Sequence, residues 1–106
     1  MTRAEEVASL LIDVEAQLRQ LGLWEAQPPS AEALASTEPF AIDTMNFKQW
    51  LQFVFVARLY AMLNTGGSLP GACAITPMAE EYFSGLQLPS GPLLETLAAI
   101  DAVLSR

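Results

Sequence analysis

The chain has 106 residues, of which 52% are hydrophobic and 16% are charged, and its formal net charge is −7. The apolar content excludes a disordered chain, and the length is sufficient for one domain, residues 1–106, with one core. The negative charge disfavours direct binding to nucleic acid or to anionic membranes, and it favours a basic protein as the partner.

The first predicted helix covers residues 3–21. Thr2 and Glu5 have the spacing of a capping box, and Gly22 supplies a stop signal. Between them, apolar residues recur at helical period: Val7, Leu10, Leu11, Val14, Leu18 and Leu21. The stripe predicts that this helix packs against a core through a single face.

A short helix is predicted after a pair of prolines. Pro28 and Pro29 favour an extended segment, and Ser30 is a suitable N-cap for a helix that ends at Ala35. Glu38 precedes another proline, which again favours extended backbone.

The main helix is predicted over residues 47–64. Asn46 and Gln49 repeat the capping-box spacing at its start, and Gly66 and Gly67 end it. Its sequence is apolar at nearly every position, which is typical of a helix packed on most sides. We therefore predict that this helix lies at the centre of the fold.

A helical wheel separates the polar residues of the main helix into two groups. Lys48, Gln49 and Gln52 share one narrow face, whereas Arg58 falls on the apolar side near Phe55. It is also close to Leu51 and Met62 on the wheel. A charge in that position either reaches the surface along its apolar stem or meets a carboxylate. Glu15, which flanks the apolar stripe of the first helix, is the first candidate for an ion pair, and the alternative is that Arg58 binds a ligand.

Two further helices complete the predicted fold. Thr76 is a suitable cap for a helix over residues 77–84, which Gly85 ends, and another helix begins near Ser90. The apolar stripe of the last helix consists of Leu93, Leu97, Ile100 and Leu104. Because no segment alternates with period two, the predicted fold is all-α: a compact bundle of four principal helices plus one short helix.

The loop of residues 36–46 precedes the main helix and has two interpretations. Several of its side chains can bond back to the backbone and hold the loop rigid. Alternatively, its apolar side chains form an exposed patch for a protein partner, with Asp43 and Thr44 as polar anchors and the Leu-Pro-Gly turn at its border. The predicted partner-binding residues are Phe40, Asp43, Thr44, Met45, Trp50, Leu69, Pro70 and Gly71.

Several kinds of catalytic and metal site are disfavoured by composition. The chain has no histidine, which removes histidine-dependent triads and histidine metal sites. Cys73 has apolar neighbours and no nearby lysine in sequence, so we expect a structural thiol. Glu80 and Glu81 are adjacent rather than three or four residues apart, so they do not form a helical metal pair. We expect no catalytic residues, no metal and no cofactor.

The sequence also favours a cytoplasmic location. A single cysteine cannot form an internal disulfide, which fits a reducing compartment. Acidic residues near the amino terminus are unlike the cationic start of a signal peptide. The longest apolar region, residues 50–63, is shorter than the roughly 20 residues that span a membrane.

The middle of the chain closely resembles the YqcC-like proteins. The shared pattern is P-F-x-x-D-T-M, then W-L-Q, an arginine six residues after that glutamine, and L-P-G before a threonine–proline step. The residues of this pattern are Pro39, Phe40, Asp43, Thr44, Met45, Trp50, Leu51, Gln52, Arg58, Leu69, Pro70, Gly71 and Pro77. In the first part of the chain, Glu15, Leu18, Arg19 and Trp24 also fit the family.

The resemblance implies a compact helical bundle without an established activity. Such proteins are sometimes labelled with tRNA pseudouridine synthase C, beside which they are encoded in some bacteria. Pseudouridine synthases are larger α/β catalytic domains with an aspartate in a characteristic motif, which Ile42-Asp43-Thr44 does not reproduce. The label is therefore not carried over as an activity.

Three hypotheses of function follow from these observations. The leading one is a non-catalytic protein-binding module that uses the 36–46 loop and the adjacent turn. The second is a small-molecule binder or minor enzyme in which Arg58 holds an anionic ligand with Asp43 or Glu15 as its companion. The third is an accessory to a tRNA pseudouridine synthase that contacts the enzyme rather than the RNA. Homodimerisation through spare apolar surface is a further expectation.

Overall fold

The computed structural model describes residues 2–66, 69–71 and 73–105, and all the regular structure in these ranges is helical. The helices are α1 (Arg3–Gln20), α2 (Ala31–Leu34), α3 (Phe47–Trp50), α4 (Ala57–Thr65), α5 (Thr76–Ser84) and α6 (Gly91–Leu104), with a 3-10 turn at Pro39–Ala41 and a π-helical segment at Leu51–Val56. Here α3, the π-helical segment and α4 form one continuous rod, residues 47–65, called the central helix below. The predicted all-α bundle of four principal helices plus a short one is confirmed.

Helices α1 and α6 form the most extensive helix pair of the bundle. Four residues of the predicted α1 stripe, Val7, Leu11, Val14 and Leu18, are fully inaccessible, and Leu10 and Leu21 are partly buried against the core. Helix α1 begins where predicted because the Thr2 hydroxyl accepts a hydrogen bond from the backbone N–H of Glu5 at 3.1 Å. Its apolar face meets the stripe of α6, and both stripes belong to one hydrophobic core.

The central helix begins and ends close to its predicted limits. Asn46 and Gln49 form a reciprocal capping box, with bonds of 3.0 and 3.1 Å. At the other end Gly66 adopts a left-handed conformation with φ of 69°, which few other residues tolerate. Gly67, the second residue of the predicted stop, lies outside the described residues.

The central helix has one exposed face. Ala57, Arg58 and Ala61 are exposed, and Phe53 and Val54 are only half-buried. The helix is therefore buried or half-buried at most of its positions, as expected, but the face that bears Arg58 is open to solvent. The most extensive helix pair, α1 with α6, does not include the central helix, which meets α1 near its end and α5 near its start.

The polar face of the central helix packs against the connector between α1 and α2. The buried Gln52 side chain donates to the backbone carbonyl of Glu25 at 2.8 Å and accepts from its N–H at 3.0 Å. The Glu25 carboxylate forms an ion pair with Lys48 at 3.2 Å. The narrow polar face of the central helix therefore holds an irregular segment of backbone in place.

Helix α5 is capped by a residue from another helix. The carboxylate of Asp101, in α6, accepts hydrogen bonds from the backbone N–H groups of Ile75 and Thr76 at 3.2 and 3.0 Å. It also accepts from the Thr76 hydroxyl at 2.6 Å. The predicted cap by Thr76 is thus wrong, because Thr76 is the first residue of α5 and the capping oxygens come from Asp101.

Candidate functional site

The loop that precedes the central helix contains an unusual turn of backbone. Phe40 and Ala41 have positive φ angles of 57° and 49°, in a region that residues with a Cβ rarely occupy. Each such residue costs on the order of 1 kcal/mol and persists only where its surroundings fix it. Strain of this kind is found most often at sites of function.

Hydrogen bonds from side chains hold this loop in one conformation. The Ser36 hydroxyl donates to the Asp43 carboxylate at 2.6 Å and accepts from the backbone N–H of Glu38 at 3.2 Å. The Thr44 hydroxyl donates to the carbonyl of Ala33, in α2, at 2.8 Å. These hydrogen bonds agree with the interpretation of a loop held by its own polar side chains, and they give Asp43 and Thr44 contacts within the fold.

Aromatic rings join the loop to the bundle. Phe40 contacts Trp50 edge-to-face, with ring centroids 4.7 Å apart, and Trp50 lies 5.8 Å from Phe47. Phe47 in turn meets Phe83 of α5 at 6.3 Å. Phe40 and Trp50 remain half-buried, so both keep part of their rings available at the surface.

The exposed apolar residues of the loop differ from the predicted ones. Met45 is only 8% exposed, so its predicted place in an exposed patch is wrong: it packs inward beneath the turn. Ile42, which sequence reasoning missed, is 64% exposed, and Leu34 of α2 is exposed beside the loop. A loop has no hydrophobic period, so no sequence signal identifies which of its apolar side chains faces out.

The predicted turn at residues 69–71 lies next to the loop. Pro70 lines the same cleft as Phe40 and Trp50, and Gly71 is exposed, whereas Leu69 packs partly against the core. Arg3 fixes the turn, because its guanidinium donates to the carbonyls of Pro70 and Leu104, both at 3.0 Å. The structure therefore brings the loop of residues 36–46 and the turn at residues 69–71 together.

The cleft between the central helix and a wall formed by Pro70 and residues 73–75 has a volume of about 320 Å³. Its lining is mostly apolar and includes Phe40, Trp50, Val54, Met62, Pro70 and Ile75. Among the described residues, Arg58 contributes the only charged side chain to that lining. This site, the Arg58 cleft, has the size and composition of a small ligand pocket.

Arg58 does not form the predicted ion pair with Glu15. The Glu15 carboxylate instead accepts a hydrogen bond from Arg19 at 3.2 Å, one turn along α1, and Arg58 has no ion-pair partner in the described part of the chain. Glu15 does approach the central helix at Tyr60, whose pKa is raised by burial and by the Glu15 charge. The physical reason is that the side of the central helix bearing Arg58 borders an open cleft rather than α1.

Cys73 lies in the wall of the same cleft. Its Sγ donates to an oxygen of Asp101 at 3.3 Å. Burial, this hydrogen bond and the Asp101 charge together raise the pKa of the thiol to about 12. The thiol is therefore protonated at neutral pH, which agrees with the structural role expected for it.

Acidic side chains surround the exposed part of the loop. Glu38 and Asp43 are exposed within the loop, and Glu81 of α5 lines a second cavity with Phe40 and Ile42. This second cavity has a volume of about 380 Å³. The surface around Ile42 thus combines apolar side chains with a negative rim. We call it the loop surface and define it as residues 34–43, together with Glu81.

The described ranges contain neither a cluster of metal-ligand side chains nor a helix suited to a membrane. No group of three or more Asp, Glu, Cys or His side chains comes together there as metal ligands would. None of the described helices combines the length and the apolar character that crossing a bilayer requires.

Comparisons with known proteins agree on one family. A family model described as tRNA pseudouridine synthase C matches residues 6–103. An uncharacterised protein of Haemophilus influenzae is 45% identical over 87 residues, which are 79% of this chain and 82% of that protein. The protein YqcC of Escherichia coli is 32% identical over 105 residues, covering 99% of this chain and 96% of the relative.

A solved structure and a longer relative add to this. The solution NMR structure of YqcC from E. coli superposes with a TM-score of 0.83 at 34% identity, covering 99% of this chain and 90% of that one. The tRNA pseudouridine synthase C of Pectobacterium carotovorum is 44% identical over 87 residues, or 82% of this chain. The chain spans only 23% of that relative's length.

Proposed function

Because this chain belongs to the YqcC-like family, we propose that it is a non-catalytic module of the bacterial cytoplasm that binds another protein through the loop surface. The observation that carries the proposal is Ile42, an isoleucine 64% exposed at the tip of a strained and hydrogen-bonded loop. A large apolar side chain held rigidly in water loses little conformational entropy when a partner covers it.

The composition of the loop surface supports a protein partner. It exposes the apolar side chains of Ile42 and Leu34, and acidic residues lie close to both: Glu81 lines a cavity with Ile42, and Glu38 lines another with Leu34. Apolar centres with polar rims are the usual anatomy of protein interfaces. The acidic rim and the net charge of −7 favour a partner whose matching surface is basic.

The absence of histidine and the protonated Cys73 support a non-catalytic role. Without histidine the chain lacks the side chain that most often acts as a general base near neutral pH. A thiol with a pKa of about 12 is a poor nucleophile at pH 7, because the thiolate is the reactive form.

A tRNA pseudouridine synthase is the partner that the relatives favour. The Pectobacterium protein of that name contains a segment similar to this chain within a polypeptide about four times longer than the matched part. Two domains that are joined in one polypeptide in one bacterium are candidates to associate where they are separate proteins, here this chain and a tRNA pseudouridine synthase. On this proposal the chain contacts the enzyme rather than the tRNA, since its negative charge repels phosphates.

The test is a binding measurement between this chain and the purified tRNA pseudouridine synthase C of the same bacterium. Ile42→Ser removes the apolar centre of the loop surface and is expected to weaken binding about tenfold or more. Ile12→Ser is the matched control, because Ile12 is 62% exposed on α1 and lies outside the loop surface. We expect the control to change affinity less than about twofold.

Two outcomes would overturn the proposal. Failure of the wild-type chain to form any complex with the synthase removes the named partner. Equal weakening by Ile42→Ser and Ile12→Ser removes the loop surface as the site of contact, whatever the partner.

A further inference from the structure

We infer that the Arg58 cleft binds a small organic carboxylate with an apolar body, such as a medium-chain fatty acid. This inference concerns a ligand of the isolated chain and does not rest on the proposed protein partner. It is carried by the placement of one unpaired guanidinium in the lining of an otherwise apolar, ligand-sized cleft.

The dimensions of the cleft limit the ligand. A volume of about 320 Å³ is at the lower end of the range for small-molecule pockets. The aromatic rings of Phe40 and Trp50 and the side chains of Val54 and Met62 offer apolar contact along the walls. An occupant of roughly ten non-hydrogen atoms with an apolar chain therefore suits the space.

The positive charge of Arg58 in the cleft favours a ligand with a negative charge. Arg58 is exposed and has no ion-pair partner among the described residues, so its fork of donors is available. A carboxylate can accept two parallel hydrogen bonds from such a fork. A neutral or cationic ligand would leave this guanidinium without a counter-charge.

The other ionisable groups near the cleft do not compete for Arg58. Cys73 is protonated at neutral pH, and the Asp101 carboxylate behind it accepts hydrogen bonds from Ile75 and Thr76. Glu38 lines an adjoining cavity together with Arg58, yet the two do not form an ion pair. An anion entering the Arg58 cleft therefore meets one cation and no opposing carboxylate in the described lining.

The backbone of the central helix supports a binding role for this region. The π-helical segment Leu51–Val56 contributes Val54 and Phe55 to the cleft. Segments of π-helix are rare, and they occur frequently at functional sites.

The experiment is an NMR titration of the isolated chain with sodium octanoate and, separately, with octan-1-ol. The indole N–H of Trp50, which lines the cleft, should shift, and that of Trp24, which packs under Arg19, should not. We expect octanoate to bind with a Kd of about 1 mM or lower and octan-1-ol to bind about tenfold more weakly.

Variants separate the role of the charge from that of the apolar walls. Arg58→Gln should weaken octanoate binding about tenfold and leave octan-1-ol binding unchanged. Arg19→Gln is the control, because Arg19 is also exposed but lies on α1 away from the cleft.

Three results would overturn the inference. They are no shift of Trp50 with octanoate up to about 10 mM, equal affinity for octanoate and octan-1-ol, or octanoate binding that Arg58→Gln leaves unchanged. Since no partner protein is present, none of these results bears on the proposed complex with the synthase.

Discussion

Replacement of Asp101 by alanine is expected to destabilise the fold more than any ordinary surface substitution. Asp101 accepts hydrogen bonds from the N–H groups of Ile75 and Thr76, from the Thr76 hydroxyl and from Cys73. Losing a helix cap costs about 1 kcal/mol. Leaving part-buried donors without an acceptor adds about 1 to 3 kcal/mol. We therefore expect the free energy of unfolding to fall by about 2 to 4 kcal/mol, a large share of the stability of a small domain.

The assay is urea unfolding followed by circular dichroism, with Asp13→Ala as the control. Asp13 is exposed on α1, so its replacement should change the free energy of unfolding by less than about 0.5 kcal/mol. Asp101→Asn retains one carbonyl oxygen, and its effect should lie between those of wild type and Asp101→Ala. If Asp101→Ala unfolds at the same urea concentration as Asp13→Ala, the capping of α5 by Asp101 is refuted.

Three further predictions concern the thiol, the connector and the proposed complex. Folding raises the pKa of the Cys73 thiol from 9.0 to about 12, so the stability that the protonated thiol contributes is complete below pH 9 and is lost as the pH rises towards 12. Unfolding at alkaline pH would check this loss. Slow labelling of Cys73 by iodoacetamide at pH 7 would check that the thiol is protonated there. Gln52→Ala should lower the free energy of unfolding in urea by about 2 kcal/mol, since the backbone N–H and carbonyl of Glu25 both lose their side-chain partner, and an effect near zero would contradict this. Affinity for the synthase should fall as the salt concentration is raised. A Kd that calorimetry finds independent of salt would contradict the proposed contact between the acidic residues of the loop surface and a basic partner.

The helix limits could be predicted from sequence because they depend on neighbouring residues. Thr2, Asn46 and Gly66 act within a few positions along the chain, so a local pattern contains the whole interaction. The stripe of α1 is similarly local, because one helix with one apolar face has one way to meet a core.

The features that escaped prediction depend on residues far apart in sequence. Asp101 caps a helix that begins 25 residues earlier, and Gln52 binds the backbone of Glu25, 27 residues away. Neither contact has a local signature, because a capping side chain from another helix leaves no motif near the cap.

The candidate site was predicted in outline and revised in detail. Phe40, Trp50 and Pro70 do come together, since the turn at residues 69–71 folds back onto the central helix. Met45 is buried and Ile42 is exposed because Phe40 and Ala41, which both have positive φ angles, set the direction of the loop. No sequence rule assigns that backbone conformation to these two residues.

The most direct test of the central claim is hydrogen–deuterium exchange of the chain, alone and in complex with the synthase. The loop surface is proposed as the contact, so exchange should slow in residues 34–43 and stay unchanged along the exposed face of α1 around Ile12. Slowing that is confined to α1, with residues 34–43 exchanging as fast in the complex as alone, would contradict the account.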